Sequence, residues 1–279
     1  MKELEIKYIS KLLKPRLPDS HKGTYGHALL IAGNEGKMGA AVIAARACLR
    51  SGVGLLTVNV PRAERFILQT SISEAMLVYR EKFDSEVDNF SAIGIGPGLG
   101  TDKSSVHLLE KIFKKLKKHP KPLILDADAL NIIATDKDLF DNIPKGTILT
   151  PHPKEFDRLF GLHENNSTRI KTAVKKAKEH RLVIVLKGHK TLITSLSESH
   201  INSTGNAGLA KGGSGDALTG IITAFLAQGY TPFDAAQLGV YIHGLTADLT
   251  LNQQSLESML ITDVIENLGK AFSALSNEL

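Results

Sequence analysis

The sequence predicts one α/β domain, built on a mostly parallel β-sheet with helices on both faces. Short apolar segments typical of buried strands alternate with longer helical segments along most of the chain, which is the pattern of consecutive βαβ units. Hydrophobic residues make up 42% of the 279 residues and charged residues 23%, so a packed core can form. No linker or shift in composition divides the chain, and we expect residues 1–279 to form a single domain.

Short apolar runs that end at a glycine, a proline or a polar residue predict the strands. The first run, His27–Ala32, ends at Gly33, and the second, Gly54–Val60, ends at Pro61. The later predicted strands, of which the last two should pair as a hairpin, are Ala75–Tyr79, Ser91–Ile95, Leu123–Leu125, Thr147–Leu149, Leu182–Leu186, Thr191–Thr194 and His200–Asn202.

Apolar residues spaced three and four apart predict the helices between these strands. The clearest helix has one apolar face, made by Val106, Leu109, Ile112, Phe113 and Leu116, and a lysine-rich face typical of exposure to solvent. The remaining predicted helices are Lys37–Arg50, Arg62–Thr70, Lys154–Phe160, Thr168–His180, Gly215–Gln228, Pro232–Leu249 and Thr262–Leu275.

The composition argues against several classes of function. There are 34 basic and 29 acidic residues, a net charge of +5, few aromatic residues and no tryptophan, which is unlike a dedicated nucleic-acid-binding protein. The single cysteine, Cys48, excludes an internal disulfide framework. No apolar run reaches the roughly 18 residues of a membrane span, and segment 1–18 lacks the apolar stretch of a signal peptide. We therefore expect a cytoplasmic protein that binds neither nucleic acid nor membranes.

The most specific local pattern is the glycine-rich segment Asn202–Asp216, which leads into an apolar helix. Gly212, Gly213 and Gly215 would let backbone N–H groups converge on an anion at the start of that helix. Asp216 would then lie in the first turn, where it could accept a proton from an attacking hydroxyl group. The structural alternative is a helix-capping aspartate, but a cap does not require the surrounding glycines, so we favour a phosphoryl-transfer site.

Ligands of such sheets bind at the carboxyl ends of the strands, so the loops that follow strands are further candidates. The loop Gly94–Gly100 lacks the spacing of a dinucleotide fingerprint, and it is either a tight turn or a place where backbone approaches a ligand. Asp126 and Asp128 either hold Mg²⁺ through water or cap a helix.

Three more loops after strands have weaker signals. Thr150–Glu155 is stiffened by two prolines and presents His152 and Glu155, which favours a role in positioning a ligand over a purely structural histidine. Lys187–Thr191 offers cations near a phosphate, or is an ordinary hairpin turn. Gly33–Ala41 is a candidate turn for an anion or a substrate.

Seven segments in this order resemble the ADP/ATP-dependent NAD(P)H-hydrate dehydratases of the ribokinase superfamily. The resemblance spans about residues 20–250 and depends on the whole ordered set, because each segment alone is weakly specific. The segments are KGTYGHALLIAG (22–33), GKMGAAVIAA (36–45), GIGPGLG (94–100), LDADALN (125–131), LTPHPKEF (149–156), VLKGHKT (185–191) and GNAGLAKGGSGDALTG (205–220).

The resemblance implies a ribokinase-like three-layer sandwich and a metabolite-repair reaction. The substrate would be the (6S)-hydrate of NADH or NADPH, NADHX or NADPHX, which a nucleotide phosphorylates before phosphate leaves and NADH or NADPH is restored. Bacterial members tend to use ADP, which would become AMP and phosphate, and eukaryotic members ATP; the first segment looks bacterial, so we expect ADP. Mg²⁺ and a homotetramer are further implications.

The resemblance also implies roles for individual residues. Asp216 would be the catalytic base, and Ala41, Gly100, His152 and Asp216 would contact the hydrated dinucleotide. Glu155 would organise Mg²⁺ through water. The nucleotide would be held by Lys187, Gly188, His189, Lys190, Thr191, Asn206, Gly212, Gly213, Ser214 and Gly215.

Two alternatives remain open at the level of sequence. A hydroxyethylthiazole or hydroxymethylpyrimidine kinase of the same superfamily would share the fold and the anion site, but many such kinases have a cysteine in the glycine-rich segment, where this chain has Asp216. A nucleotide-binding module without activity would not need that carboxylate beside the glycines.

Overall fold

The computed structural model describes residues 1–84 and 86–278, and these residues form one ten-stranded sheet in the order β1-β10-β9-β8-β7-β6-β5-β2-β3-β4. The strands are β1 (Lys2–Glu3), β2 (His27–Ile31), β3 (Leu55–Val60), β4 (Met76–Tyr79), β5 (Ala92–Ile95), β6 (Leu123–Leu125), β7 (Ile148–Leu149), β8 (Val183–Leu186), β9 (Thr191–Thr194) and β10 (Ser199–Asn202).

The central part of the sheet is parallel, as the alternation of strands and helices predicts. Strands β8, β7, β6, β5, β2, β3 and β4 all run in one direction. β9 is antiparallel to both β8 and β10, so the predicted hairpin is confirmed, and β1 pairs parallel to β10 at the edge. The carboxyl ends of the seven parallel strands therefore meet at one edge of the sheet.

Helices connect these strands and cover both faces of the sheet. They are α1 (Ile6–Leu12), α2 (Met38–Arg50), α3 (Arg65–Ser71), α4 (Lys103–Lys118), α5 (Ala127–Thr135), α6 (Lys137–Asp141), α7 (Pro153–Phe160), α8 (Asn166–His180), α9 (Ser214–Ala227), α10 (Pro232–Thr250), α11 (Ile261–Glu266) and α12 (Leu268–Ser276). Among the residues described, none of these helices has the length and apolar composition needed to cross a bilayer.

Alternate side chains of each central strand belong to different hydrophobic clusters, which defines three layers. In β2, Ala28 and Leu30 pack in one cluster with α1–α3 and α9–α12, whereas Leu29 and Ile31 pack in the other with α4–α8. This alternation follows from the two-residue period of a strand, and burial on both faces explains why the strands are continuously apolar. The predicted α/β fold is confirmed.

The sequence-based prediction differs from the structure in its short elements. Helices α1, α5 and α6 were not predicted, because elements of five to nine residues give a weak period, although α3 and α7 of similar length were predicted. The predicted helix Thr262–Leu275 is two helices, because Asn267 is buried between them and its side-chain amide donates to Thr250 Oγ1 and to the Asp263 carbonyl. In α4, Leu108 is buried and Val106 is half-buried, a small rotation of the predicted face.

Candidate active site

The predicted loops meet at the carboxyl edge of the parallel strands and bind one another there. The Asn34 side-chain amide, after β2, donates to the Leu99 carbonyl, after β5, at 3.0 Å. The Gly100 N–H donates to Asp128 Oδ2, after β6, at 2.8 Å. Hydrogen bonds between neighbouring loops therefore link three of the candidate segments into one continuous surface.

A buried ion pair forms the centre of this surface. Lys187 Nζ, after β8, lies 2.8 Å from Asp126 Oδ1, after β6, and 3.9 Å from Glu155 Oε2, after β7. The second oxygen of Asp126 accepts the Thr219 hydroxyl of α9 at 2.8 Å. Asp126 is 1% exposed and its side chain makes no helix-capping hydrogen bond. Of the two roles considered for Asp126, the capping one is therefore wrong, and the carboxylate instead holds Lys187 and α9 in place.

The glycine-rich segment leads into a helix whose start is capped by no side chain among the residues that the structure describes. Gly213 is the N-cap of α9, has φ +93° and leaves the first-turn N–H groups without a side-chain acceptor. A Cβ on Gly212 would meet nothing within 4 Å, whereas a Cβ on Gly215 would lie 3.2 Å from Lys187 Nζ. The first turn of α9 is thus open on one side and bounded by an ammonium group on the other. This arrangement suits a phosphoryl group.

Asp216 lies in the first turn of α9, and its carboxylate accepts no hydrogen bond from the residues that the structure describes. Burial, reinforced by the charge of Asp126, raises its pKa to about 6, although Lys187 acts in the opposite direction. The capping alternative for Asp216 is therefore wrong. An ionised, partly buried carboxylate with free oxygen atoms is equipped to act as a general base near neutral pH.

His152 and Glu155 have a structural role in addition to the predicted one. His152 Nδ1 accepts the N–H groups of Lys154 and Glu155 at 3.1 and 3.2 Å, and Glu155 Oε2 accepts the His152 N–H at 2.8 Å. This reciprocal cap starts α7. Burial lowers the pKa of His152 despite the nearby Glu155 charge. With Nδ1 accepting, the neutral ring carries its proton on Nε2, which lies 3.4 Å from Glu155 Oε1, and the side chain as a whole is 44% exposed.

Ala41 and Gly100 are predicted to contact substrate, but neither has an exposed side chain that could do so. Ala41 is fully buried, and a Cβ on Gly33 would be 2.9 Å from the Ala41 Cβ. Gly100 is buried, and its N–H is used by Asp128. A Cβ on Gly96 would be 1.8 Å from the Asp126 carbonyl oxygen. Close packing between loops therefore accounts for this glycine of the Gly94–Gly100 loop, as the tight-turn interpretation predicts.

The predicted nucleotide-binding residues lie on two segments beside α9. Gly188, His189 and Lys190 are exposed at the tip of the β8–β9 hairpin, where Thr191 Oγ1 donates to the Gly188 carbonyl at 3.2 Å. Asn206 accepts the Gly208 N–H and donates to Asp248 Oδ1, both at 3.0 Å.

Two residues that hold this site together were not found from the sequence. Thr219 lies three residues after Asp216 on α9, and this spacing, which places both on one face of a helix, was an available signal. Asp248 also accepts the Gly205 N–H at 2.8 Å. It is 42 residues from Asn206, and no local pattern links the two.

The site can bind Mg²⁺ only if its carboxylates carry more negative charge than nearby cations neutralise. Three carboxylates, of Asp126, Glu155 and Asp216, act on the single ammonium of Lys187. Within the described part of the chain, no three His, Cys, Asp or Glu side chains are placed to hold a metal ion by themselves. Mg²⁺ usually keeps several waters and binds through one or two carboxylates together with substrate phosphates. The donor set therefore fits a magnesium ion that arrives with a nucleotide.

Comparison with known proteins identifies the family. Residues 28–270 match the family model described as NAD(P)H-hydrate dehydratase. The chain is 38% identical over 262 residues to the ADP-dependent (S)-NAD(P)H-hydrate dehydratase of Neisseria meningitidis, covering 91% of this chain and 87% of that protein. It also matches bifunctional NAD(P)H-hydrate repair enzymes, but it spans only about half the length of two of them, 53% and 50%.

Comparison with solved structures supports the same family. The crystal structure of the ADP/ATP-dependent NAD(P)H-hydrate dehydratase of Bacillus subtilis, co-crystallised with ATP/Mg²⁺, superposes with a TM-score of 0.88 at 33% identity and covers 98% of each chain. Hydroxyethylthiazole kinase from Pyrococcus horikoshii gives a TM-score of 0.65 at 15% identity, a likeness of fold alone that covers 98% of this chain and 92% of that one. By sequence and by fold, this chain belongs to the NAD(P)H-hydrate dehydratase family.

Proposed function

We propose that this protein is an ADP-dependent hydro-lyase that converts the (6S)-hydrate of NADH or NADPH back to NADH or NADPH, with ADP converted to AMP and phosphate. Membership of the family supports the reaction, and the name of the Neisseria meningitidis relative supports ADP as the phosphoryl donor. One domain, residues 1–279, would supply both binding sites.

The observation that carries this proposal is the position of Asp216. Its free carboxylate and the uncapped N–H groups belong to the same first turn of α9, next to Lys187. A base and a phosphate cradle on one helical turn can act on both partners of a phosphoryl transfer. A protein that only bound the nucleotide would gain nothing from a partly buried carboxylate whose charge repels phosphate.

In the proposed first step, Asp216 accepts the proton of the substrate's 6-hydroxyl group while the hydroxyl oxygen attacks the terminal phosphorus of ADP. The bond from that phosphorus to the bridging oxygen breaks, and AMP leaves with the electron pair. The N–H groups of Gly212 to Gly215 stabilise charge on the transferred phosphoryl group. Loss of one such donor typically costs about 2.7–4 kcal/mol of barrier.

In the second step, phosphate leaves from C6, because phosphate is a much better leaving group than hydroxide. The lone pair of the ring nitrogen assists as the C6–O bond breaks and phosphate departs with its electrons. Loss of the proton at C5 then forms the C5–C6 double bond. The sum is hydrated NADH plus ADP giving NADH, AMP, phosphate and one proton.

The other predicted residues would bind and orient the two substrates. The hairpin segment Lys187–Thr191, with its exposed tip at Gly188 to Lys190, and Asn206 would hold the AMP part of the nucleotide. His152 Nε2 and the backbone near Ala41 and Gly100 would face the hydrated dinucleotide. Mg²⁺, when bound, neutralises charge on the phosphates. Glu155 would hold it through water, since the carboxylate is already used by its own helix cap.

We further propose a homotetramer in the cytoplasm. The resemblance to the family supports both the assembly and the location. Exposed apolar side chains, Phe66 and Ile67 on α3 and Met76 on the edge strand β4, are available for burial between subunits. Light scattering would measure the mass of the assembly, and a monomer at working concentration would contradict this part of the proposal.

Restored absorbance tests the function directly. Chemically hydrated NADH, incubated with the protein, ADP and Mg²⁺, should regain the absorbance band of the reduced nicotinamide, and AMP should appear in equal amount. Parallel reactions with ATP and with hydrated NADPH measure the preferences. No recovery with either nucleotide, together with phosphorylation of a thiazole or pyrimidine alcohol, would replace the proposal with a kinase function.

A further inference from the structure

We propose that Lys37 binds the diphosphate of the dinucleotide, and so makes the protein selective for dinucleotides over smaller nicotinamide compounds. This inference deepens the proposed function, because it assumes that a nicotinamide dinucleotide occupies the surface beside Gly100. It concerns the affinity for the substrate and assigns Lys37 no part in the chemical steps.

Lys37 lies beside the reacting centre, on the side that the Gly100 loop forms. It ends the turn between β2 and α2, and its Nζ is 3.6 Å from Asp128 Oδ2, the carboxylate that also accepts the Gly100 N–H. Asp128 is in turn close enough to Asp216 for its charge to raise the pKa of that carboxyl. Asp128 is therefore near both Lys37 and Asp216. In a nicotinamide dinucleotide, the diphosphate is one ribose away from the ring that reacts.

The ammonium group of Lys37 is free to bind an anion. The side chain is 56% exposed, and its Nζ donates no hydrogen bond to a residue that the structure describes. A Cβ on Gly36 or on Gly39 would meet nothing within 4 Å, so there is open space on both sides of Lys37 along the chain. The contact with Asp128 limits where the ammonium lies, and the remaining N–H groups can point outward.

Arg80, the other basic side chain at this turn, is already occupied. Its Nε donates to Asn59 Oδ1 at 3.1 Å, and its Nη atoms donate to the carbonyls of Gly33, Ala32 and Asn59 at 2.8 to 3.1 Å. Arg80 thus supports the turn that carries Lys37 and does not present its charge to a ligand. A lysine ammonium is a compact point charge that suits phosphate groups.

The test uses two fluorescent dihydronicotinamides, NADH and the reduced nicotinamide riboside, which has the same ring and ribose but no phosphate. For Lys37→Gln, we expect the Kd of NADH to rise about tenfold and the Kd of the riboside to stay within about twofold. Lys37→Arg should restore most of the affinity. The control is Lys118→Gln, which removes the same charge from the exposed end of α4 and should change neither constant.

The outcomes separate this inference from the proposed function. An unchanged Kd for NADH in Lys37→Gln, an equal loss for both compounds, or a wild-type protein that does not bind NADH would overturn it. Turnover of hydrated NADH by the wild-type protein is measured separately. If the wild type binds NADH in a Lys37-dependent way but does not turn over the hydrate, the inference stands and the proposed function fails.

Discussion

Lys187 and Asp126 form an ion pair of 2.8 Å between two loops that are 61 residues apart in the sequence. Asp126 is almost fully buried, and its other oxygen is used by Thr219. Burial alone would lower the pKa of Lys187, but the charges of Asp126 and Glu155 outweigh that effect and raise it. A permanently charged ammonium group is therefore fixed beside the first turn of α9, and its position depends on a carboxylate that a nucleotide would not reach.

The first prediction concerns the stability provided by this pair. Lys187→Met leaves Asp126 buried without its cation, and breaking a buried pair from one side typically destabilises a protein by about 3–5 kcal/mol. Adding Asp126→Asn to Lys187→Met removes the uncompensated charge and should recover part of the loss. Urea unfolding of the two single variants and the double variant measures the coupling. Strictly additive effects would show that the two side chains do not interact.

The second prediction is a pH dependence of activity. Asp216 must be ionised to accept a proton, and its pKa is raised to about 6. The kcat/KM for hydrated NADH should therefore fall as the pH drops below about 6 and reach a plateau above it. The control is to show by circular dichroism that the protein stays folded throughout this range. A profile that is flat down to pH 4.5 would be inconsistent with Asp216 as the base.

The third prediction is that Asp216, the proposed base, lowers the free energy of unfolding when it is ionised. A carboxyl whose pKa is higher in the folded state favours folding in its protonated form, so its ionisation destabilises the fold as the pH rises from about 4 to about 6. Asp216→Asn should thus be more stable than the wild type at pH 8. The gain is at most about 3 kcal/mol, from a rise of the pKa from 3.8 to about 6.

This gain should largely disappear by about pH 3.5, where Asp216 is protonated in the folded state and mostly protonated in the unfolded state. The matched control is Asp234→Asn in the first turn of α10, where the carboxylate accepts the Thr231 hydroxyl. That variant should lose stability at neutral pH. A destabilised Asp216→Asn protein at pH 8 would mean that Asp216 has a structural partner.

The fourth prediction uses a glycine that packing does not require. Beyond its two chain neighbours, a Cβ at Gly212 would meet nothing within 4 Å in the described part of the chain, so Gly212→Ala should fold with an unchanged Tm. It would nevertheless fill part of the cradle, and we expect the KM for ADP to rise at least about tenfold, or about 1.4 kcal/mol. Gly269→Ala on α12, which also meets nothing, serves as the control. Equal KM values for ADP in both variants would show that the nucleotide does not approach Gly212.

The sequence was sufficient to predict the fold because the signals are local. Continuous apolar strands alternate with helices, and residues such as Leu29 and Leu30 pack on opposite faces as their alternation requires. The glycine-rich segment could also be predicted from local signals. The φ of +93° at Gly213 and the absence of a side-chain cap on α9 depend only on residues that are adjacent in the sequence.

What could not be predicted depends on contacts between distant parts of the chain. Asp126 contacts Lys187 and Thr219, which are 61 and 93 residues away. Local pattern alone predicts either a helix cap or a metal ligand for this carboxylate. His152 shows the opposite case, since its capping box with Glu155 spans three residues and was available in the sequence. The roles of Ala41, Gly100 and His152 in binding substrate remain predictions.

The most direct test of the account measures turnover and nucleotide binding in Asp216→Asn. With hydrated NADH, ADP and Mg²⁺, we predict that kcat falls by about 10²–10⁴-fold, the usual contribution of a general base, while ADP still binds with near wild-type affinity in a calorimetric titration. If the variant restores NADH at the wild-type rate, Asp216 is not the base, and the mechanism proposed for this site is wrong.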